Sequence, residues 1–229
     1  MAYAVEICNW HKDNAHAFTF GCAMPVADYA QADTIVLWGH NPANTWLSQS
    51  SAIARGRARG ARMVVIDPRP TALAREADVW LPVRPGTDAA LALGIVRHLI
   101  EESAYDAAFV RRWTNAPYLV RRDNGLLLRE QDLTPDAPTN RFLVWDAFRR
   151  TLQPVDNDRA MSDALADSLL LDGEIEVQVP GRGKAMVCDT VFSRLRAEAA
   201  RYTTQEVERI TGLTEAKAVS YTHLRAHET

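Results

Sequence analysis

Three successive strand-then-helix rounds between Ala32 and Glu102 constrain this chain more than any other feature. The first strand, Asp33 to Trp38, runs into Gly39-His-Asn-Pro-Ala-Asn-Thr45. The second, Arg62 to Asp67, runs into Pro68-Arg-Pro-Thr71, and the third, Val79 to Val83, into Arg84-Pro-Gly-Thr-Asp88. Short β-branched apolar runs separated by helical patterns predict a parallel sheet built from βαβ units. Such a sheet binds ligands at the carboxyl ends of its strands, beside helix N-termini. All three polar loops fall at those ends, which points to a nucleotide-like ligand. The expected fold is α/β, a Rossmann-like parallel sheet with helices on both faces, followed by a smaller α+β segment.

Within the first loop, Gly39 lets the backbone approach a ligand, and Asn41 offers both a donor and an acceptor. The next helix is expected to start at Asn44 or Thr45, both good caps, and to run to about Arg59. Its free N–H groups would face whatever sits over Gly39-His-Asn-Pro42. The loop is not a Gly-x-Gly-x-x-Gly fingerprint, which disfavours an ordinary nicotinamide or flavin site. Asp67 ends the second strand, where an acidic residue accepts hydrogen bonds from ribose hydroxyls or simply makes a turn before Pro68. Thr87 reads as the cap of the third helix. Asp88, in that helix's first turn, is stabilised by the dipole whatever its function, and could also accept the two parallel N–H groups of a guanine edge.

A net charge of -3 with 47% hydrophobic residues gives no sign of a nucleic-acid partner or a membrane surface. The basic run Arg55 to Arg62 reads as a solvated helix C-terminus ended by Gly60. No apolar run nears the roughly 20 residues that span a bilayer, and no signal peptide is evident, so the compartment stays open between cytoplasm and periplasm. The three cysteines form no Cys-x-x-Cys pair, hence no zinc or iron–sulfur signature within the chain. Cys8, His11 and His16 do gather ahead of Gly21, with little helical period. From spacing alone, Cys8 is either a soft metal ligand or a small buried apolar residue.

Beyond Glu102 a helix is expected over Tyr105 to Thr114, then short strands at Tyr118 to Arg121 and Leu126 to Leu128. A turn-rich loop over Asp132 to Asn140 leads to a strand at Phe142 to Trp145. Glu174 to Val179 and Lys184 to Cys188 read as a hairpin across Pro180-Gly-Arg-Gly183, with Cys188 as a packing residue. A helix is expected over Val191 to Ala200, and Thr203-x-x-Glu206 as a capping box opening another to Ile210.

Taken together, Leu37-Trp-Gly-His-Asn-Pro42, Val65-Ile-Asp-Pro-Arg69 with Thr71, Arg84-Pro-Gly-Thr-Asp88, Tyr105-Asp with Phe109, and Ile210-Thr-Gly212 resemble the molybdopterin oxidoreductases of the dimethyl sulfoxide reductase superfamily. The likeness covers about Ile7 to Ala218. It implies a molybdenum or tungsten bis-molybdopterin guanine dinucleotide, with electrons passing to a 4Fe-4S cluster and an electron-transfer subunit, and a small-molecule substrate. By resemblance Gly39, Asn41, Pro42 and Thr45 line phosphates, with His40 and Asn44 in the same loop. Asp67 and Arg69, with Pro68 and Thr71, face the guanosine ribose and phosphate side. Asp88, with Gly86 and Thr87, takes the guanine. The resemblance to the formate dehydrogenase and periplasmic nitrate reductase branch aligns Cys8 with the metal ligand. His11 is then a proton donor near the metal or a residue packed beneath it. Asn9-Trp10-His11 departs from the formate dehydrogenase pattern.

The resemblance divides the chain into 1–31 leading into the metal site, 32–117 as the dinucleotide-binding domain, 118–218 as an α+β continuation, and 219–229 as a non-native tail from sequencing-library sequence. The cysteine-rich cluster domain and the C-terminal domain of the family are not in the sequence. The expectation is therefore an internal fragment of a catalytic subunit, inactive alone. The competing expectations are a non-catalytic relative, like the large iron–sulfur subunit of respiratory complex I, and an unrelated Rossmann-like module.

Overall fold

The computed structural model describes residues 10–22, 25–156, 161–179 and 185–214. Cys8, the Pro180 to Gly183 turn and the 219–229 tail lie outside the described residues. So does the side chain of His11. The chain divides into two compact units at Trp80 and Leu81, within the third strand.

The first unit opens with helix α1 (Trp10–Phe20), where the sequence shows no helical period. An exposed helix needs none: Phe18 and Phe20 are solvent-facing, and helix formation there rests on a run free of Gly and Pro. Gly21, at φ +70°, ends it and donates to Ala17 O at 2.8 Å. Strands β1 (Thr34–Trp38) and β2 (Arg62–Ile66) pair in parallel, Trp38 opposite Ile66, and β3 (Val79–Leu81) follows β2 in the sheet. Met63 to Ile66 are all buried, as a central parallel strand requires, while β1 alternates, with Ile35 and Leu37 inside and Val36 exposed. Ile35, Leu37, Met63 and Val65 pack with Ile53, Ala61 and Ala74 to form this unit's core.

The helix after β1 comes in two pieces. A single turn, α2 (Pro42–Thr45), stops at Trp46, and α3 (Leu47–Ala58) continues. Asn44 and Thr45 therefore lie inside the turn instead of capping the long helix. Pro42 sits at the first position of α2, where its fixed φ and missing N–H do no harm, which moves the helical start ahead of both residues. The basic run behaves as a helix end. Gly60 has φ +98°, Arg57 pairs with Asp78 at 2.5 Å, and Arg59 donates to Ala30 O. A short helix, α4 (Ala72–Glu76), precedes β3.

In the second unit, α5 (Asp88–Glu101) packs against α8 (Val191–Ala199) and α9 (Thr204–Thr211). Between them run α6 (Ala107–Trp113), β4 (Leu119–Arg121), β5 (Arg141–Asp146), β6 (Thr151–Asp156), α7 (Asp163–Ala166), β7 (Glu174–Val177) and β8 (Met186–Thr190). The strands form an antiparallel sheet, β4-β8-β7, and an antiparallel pair, β5-β6. The expected strand at Leu126 to Leu128 is reduced to a single bridge, Val120 to Leu127. Pro154 argues against a strand at β6, but β6 pairs along one side only, with β5, and such an edge strand tolerates it. Cys188 is fully buried in the hairpin, and burial pushes its thiol up to about 11, as a packing residue requires. Buried Asp146 accepts from the N–H groups of Phe148 and Arg149 and from the Arg149 guanidinium. The Arg149 backbone bond is the largest of the effects holding its carboxyl below the usual range. Thr203 caps α9 by accepting from Glu206 N, while the Glu206 carboxylate pairs with Arg209, so the capping box is half formed.

Candidate functional site

Two of the three polar loops lie side by side in the first unit. Because β1 and β2 are parallel and in register, both chains leave the sheet at the same end, and Gly39 N extends the ladder to Ile66 O at 2.8 Å. Gly39 has φ +57°, and the position a Cβ would occupy has no atom within 4 Å. A side chain there would be strained and would fill the open space. His40 is tied down by Gln49 Oε1, 2.7 Å from its Nε2, a partner nine residues on that sequence reasoning did not find. Thr45 Oγ1 donates to Asn41 O, Pro42 is buried, and Asn44 is exposed.

Asn41 is the informative residue. Its Oδ1 is buried and takes no hydrogen bond, and its side chain does not cap the helix that follows. A buried acceptor left unmade costs about 1–3 kcal/mol, so its retention calls for a partner that no described residue supplies. An open glycine cradle suits a ligand that comes close to the backbone, and the orphaned Oδ1, an acceptor, suits one that offers it a hydroxyl or N–H donor. Replacing Asn41 with Leu removes the unsatisfied acceptor. The variant should unfold no earlier than the wild type, yet bind GDP at least about tenfold more weakly if the amide serves a ligand. Thermal unfolding alongside GDP titration of the full-length protein checks both halves.

In the second loop, Asp67 is 6% exposed. Its Oδ1 accepts from Arg69 N at 2.8 Å, and its carbonyl accepts from Trp80 Nε1 at 2.8 Å. The turn role expected before Pro68 is thus present, and it occupies one carboxylate oxygen. Pro68 is exposed, and the Arg69 side chain is largely so, with Nε 3.8 Å from Asp67 Oδ1. Thr71 caps α4 by accepting from Ala74 N at 3.1 Å, so its hydroxyl already has a structural duty.

The third loop belongs to the second unit. Gly86 has φ +83°, again with open space at the Cβ position. Thr87 does not cap α5 with its side chain; its Oγ1 turns back to donate to Arg84 O at 2.6 Å, because the short turn brings that carbonyl closer. Asp88 is exposed in the first turn of α5. Among the described residues, no group of three or more His, Cys, Asp or Glu is placed to hold a metal ion, and no helix is long and apolar enough to cross a membrane.

A parallel sheet with helices after its strands and polar loops at their carboxyl ends defines a Rossmann-like α/β class of fold. Residues 3–229 match the family described as "Molybdopterin oxidoreductase", and the chain belongs to that family. It is 33% identical over 184 residues to dimethylsulfide dehydrogenase subunit alpha of Rhodovulum sulfidophilum, covering 80% of this chain and 20% of that protein. It is 34% identical over 192 residues to chlorate reductase subunit alpha of Ideonella dechloratans, covering 81% and 20%. The solved structure of acetylene hydratase from Pelobacter acetylenicus superposes with a TM-score of 0.58 at 22% identity, over 100% of this chain and 21% of that one, a likeness of fold. The chain therefore spans about a fifth of the length of the curated relatives it matches. Family membership removes the unrelated Rossmann-like module from consideration and names molybdopterin as the cofactor class.

Proposed function

We propose that this chain is the part of a molybdenum or tungsten oxidoreductase catalytic subunit that grips a bis-molybdopterin guanine dinucleotide. The observation that carries the reading is the buried, unpartnered Asn41 Oδ1 beside the Gly39 cradle, in a chain of the molybdopterin family. When bound, the cofactor supplies two-electron redox chemistry at its metal. The first loop would receive phosphate oxygens through backbone N–H groups and the Asn41 Nδ2–H, while Asn41 Oδ1 would accept from a hydroxyl or N–H of the cofactor. Asp67, with Oδ1 held in its turn, would offer Oδ2 to ribose hydroxyls, and Arg69 would screen phosphate charge. Asp88 would accept from the guanine N–H edge. Cys8 would be the protein's metal ligand, and His11 the neighbouring proton donor or packing residue. The 4Fe-4S cluster and the electron-transfer partner belong to the rest of the assembly. The substrate is a small molecule, by analogy with the dimethylsulfide and chlorate that name two relatives.

Acid release of the cofactor from the purified full-length subunit tests this. Stoichiometric GMP together with molybdenum or tungsten by elemental analysis is expected. A released pterin without GMP overturns the dinucleotide assignment.

A further inference from the structure

Arg84 opens the third loop and is bonded through its backbone and its side chain within the second unit. Its backbone N–H donates to Thr211 O at 2.9 Å, and its Nη1 donates to Ile210 O at 3.0 Å. Its own carbonyl accepts from Thr87 N at 3.2 Å and from Thr87 Oγ1 at 2.6 Å. The first pair of bonds fastens the loop to the last turn of α9, where a guanidinium also complements the helix dipole. The second pair closes the turn that delivers the chain to Asp88.

The ground under Arg84 is firm. Thr211 and Leu213 are each 1% exposed. Thr211 Oγ1 donates to Val207 O at 2.7 Å and accepts from Leu213 N at 3.2 Å. Gly212, at φ +73°, ends the helix, and a Cβ on it would lie 3.4 Å from Arg84 Nη2. A separate close approach fixes α9 against α5 itself: a Cβ on Gly94 would stand 2.6 Å from Val207 Cγ2. Helix α9 therefore meets the loop before Asp88 through Arg84, and the helix after Asp88 through Gly94.

We propose that Arg84, with α9 beneath it, is a positioning residue that fixes the Asp88 carboxylate and so sets the guanine selectivity of the third loop. This rests on the reading of Asp88 as the guanine acceptor. A loop clasped on both sides of its acidic residue presents a fixed acceptor pair, and base discrimination by a bidentate contact depends on that fixity.

GDP and ADP binding to the full-length subunit, prepared without cofactor, tests the proposal by calorimetry. The wild type should prefer GDP, and Asp88→Asn should abolish the preference. Arg84→Met should lower the GDP-to-ADP affinity ratio by about tenfold with ADP affinity unchanged, and Arg84→Lys, which keeps a donor, should recover part of it. A purely structural Arg84 would lower the thermal midpoint and leave the ratio alone. Gly94→Ala should also lower the ratio, and Gly94→Ala with Val207→Ala, which removes the opposing methyl groups, should restore it. If Asp88→Asn abolishes the preference but Arg84→Met and Gly94→Ala do not reduce it, the positioning role is overturned and the guanine reading stands. If the wild type shows no preference for GDP, the guanine reading falls and takes the positioning role with it.

Discussion

Gly56→Ala should destabilise the protein by about 2 kcal/mol, although alanine is the better helix former. Gly56 lies inside α3, where exchange of Gly for Ala on an exposed face gains about 1 kcal/mol. Here a Cβ would stand 2.3 Å from the carbonyl oxygen of Tyr29 and 3.2 Å from Ile35 Cδ1. A flexible side chain could step aside, but the Tyr29 carbonyl is backbone, so α3 or the segment before β1 must move. Overpacking of that kind costs about 1–3 kcal/mol, and its upper end outweighs the propensity gain. Thermal unfolding should show a midpoint lower by roughly 4–8 °C. Ile35→Val relieves the softer contact and should not rescue the variant. A midpoint that rises would mean that α3 does not approach Tyr29 this closely.

The sequence made the first unit legible where burial writes itself into composition. β2 is a continuous apolar run because both its faces are covered, and that is visible in Met63 to Ile66; β1 reads as the same kind of run, Ile35 to Trp38, so the exposure of Val36 on one of its faces was not legible. The polar loops at the ends of these strands were legible because each breaks an apolar run with Gly, Asn, Pro or Asp just ahead of a helical pattern. Helix α1 was not, because an exposed helix carries no periodic signature. The break at Trp46 was not, because Asn44 and Thr45 are good caps and only the geometry of Pro42 shifts the start. Other features depend on pairs far apart in the chain. Arg84 and Ile210 are separated by 126 positions, and no local pattern announces that a guanidinium will find a helix carbonyl there. Asn41 shows a third kind of limit. Its residue type pointed to a ligand, but only the fold reveals that its oxygen is buried without a partner.

Cys8→Ala in the full-length subunit should cut turnover by more than about a hundredfold and leave GDP affinity intact. Loss of an outer-shell partner of a metal ligand already costs 10- to 100-fold, so loss of the ligand itself should exceed that. The three loops proposed to grip the nucleotide begin at Gly39, far along the chain from Cys8, and none of their hydrogen bonds described above involves the N-terminal segment. Asp88→Asn should show the reverse emphasis, losing guanine preference first. Cys8→Ser asks whether a thiolate is required: a hydroxyl fills nearly the volume of a thiol but is a harder donor, so turnover should fall well below the wild type. If serine restores turnover fully while alanine does not, an oxygen ligand serves as well and the thiolate is not required at this position. If alanine itself retains turnover, another residue ligates the metal, and the resemblance to the cysteine-ligated branch is the part of the reading that fails, while family membership and the proposed role of the three loops stand unaffected.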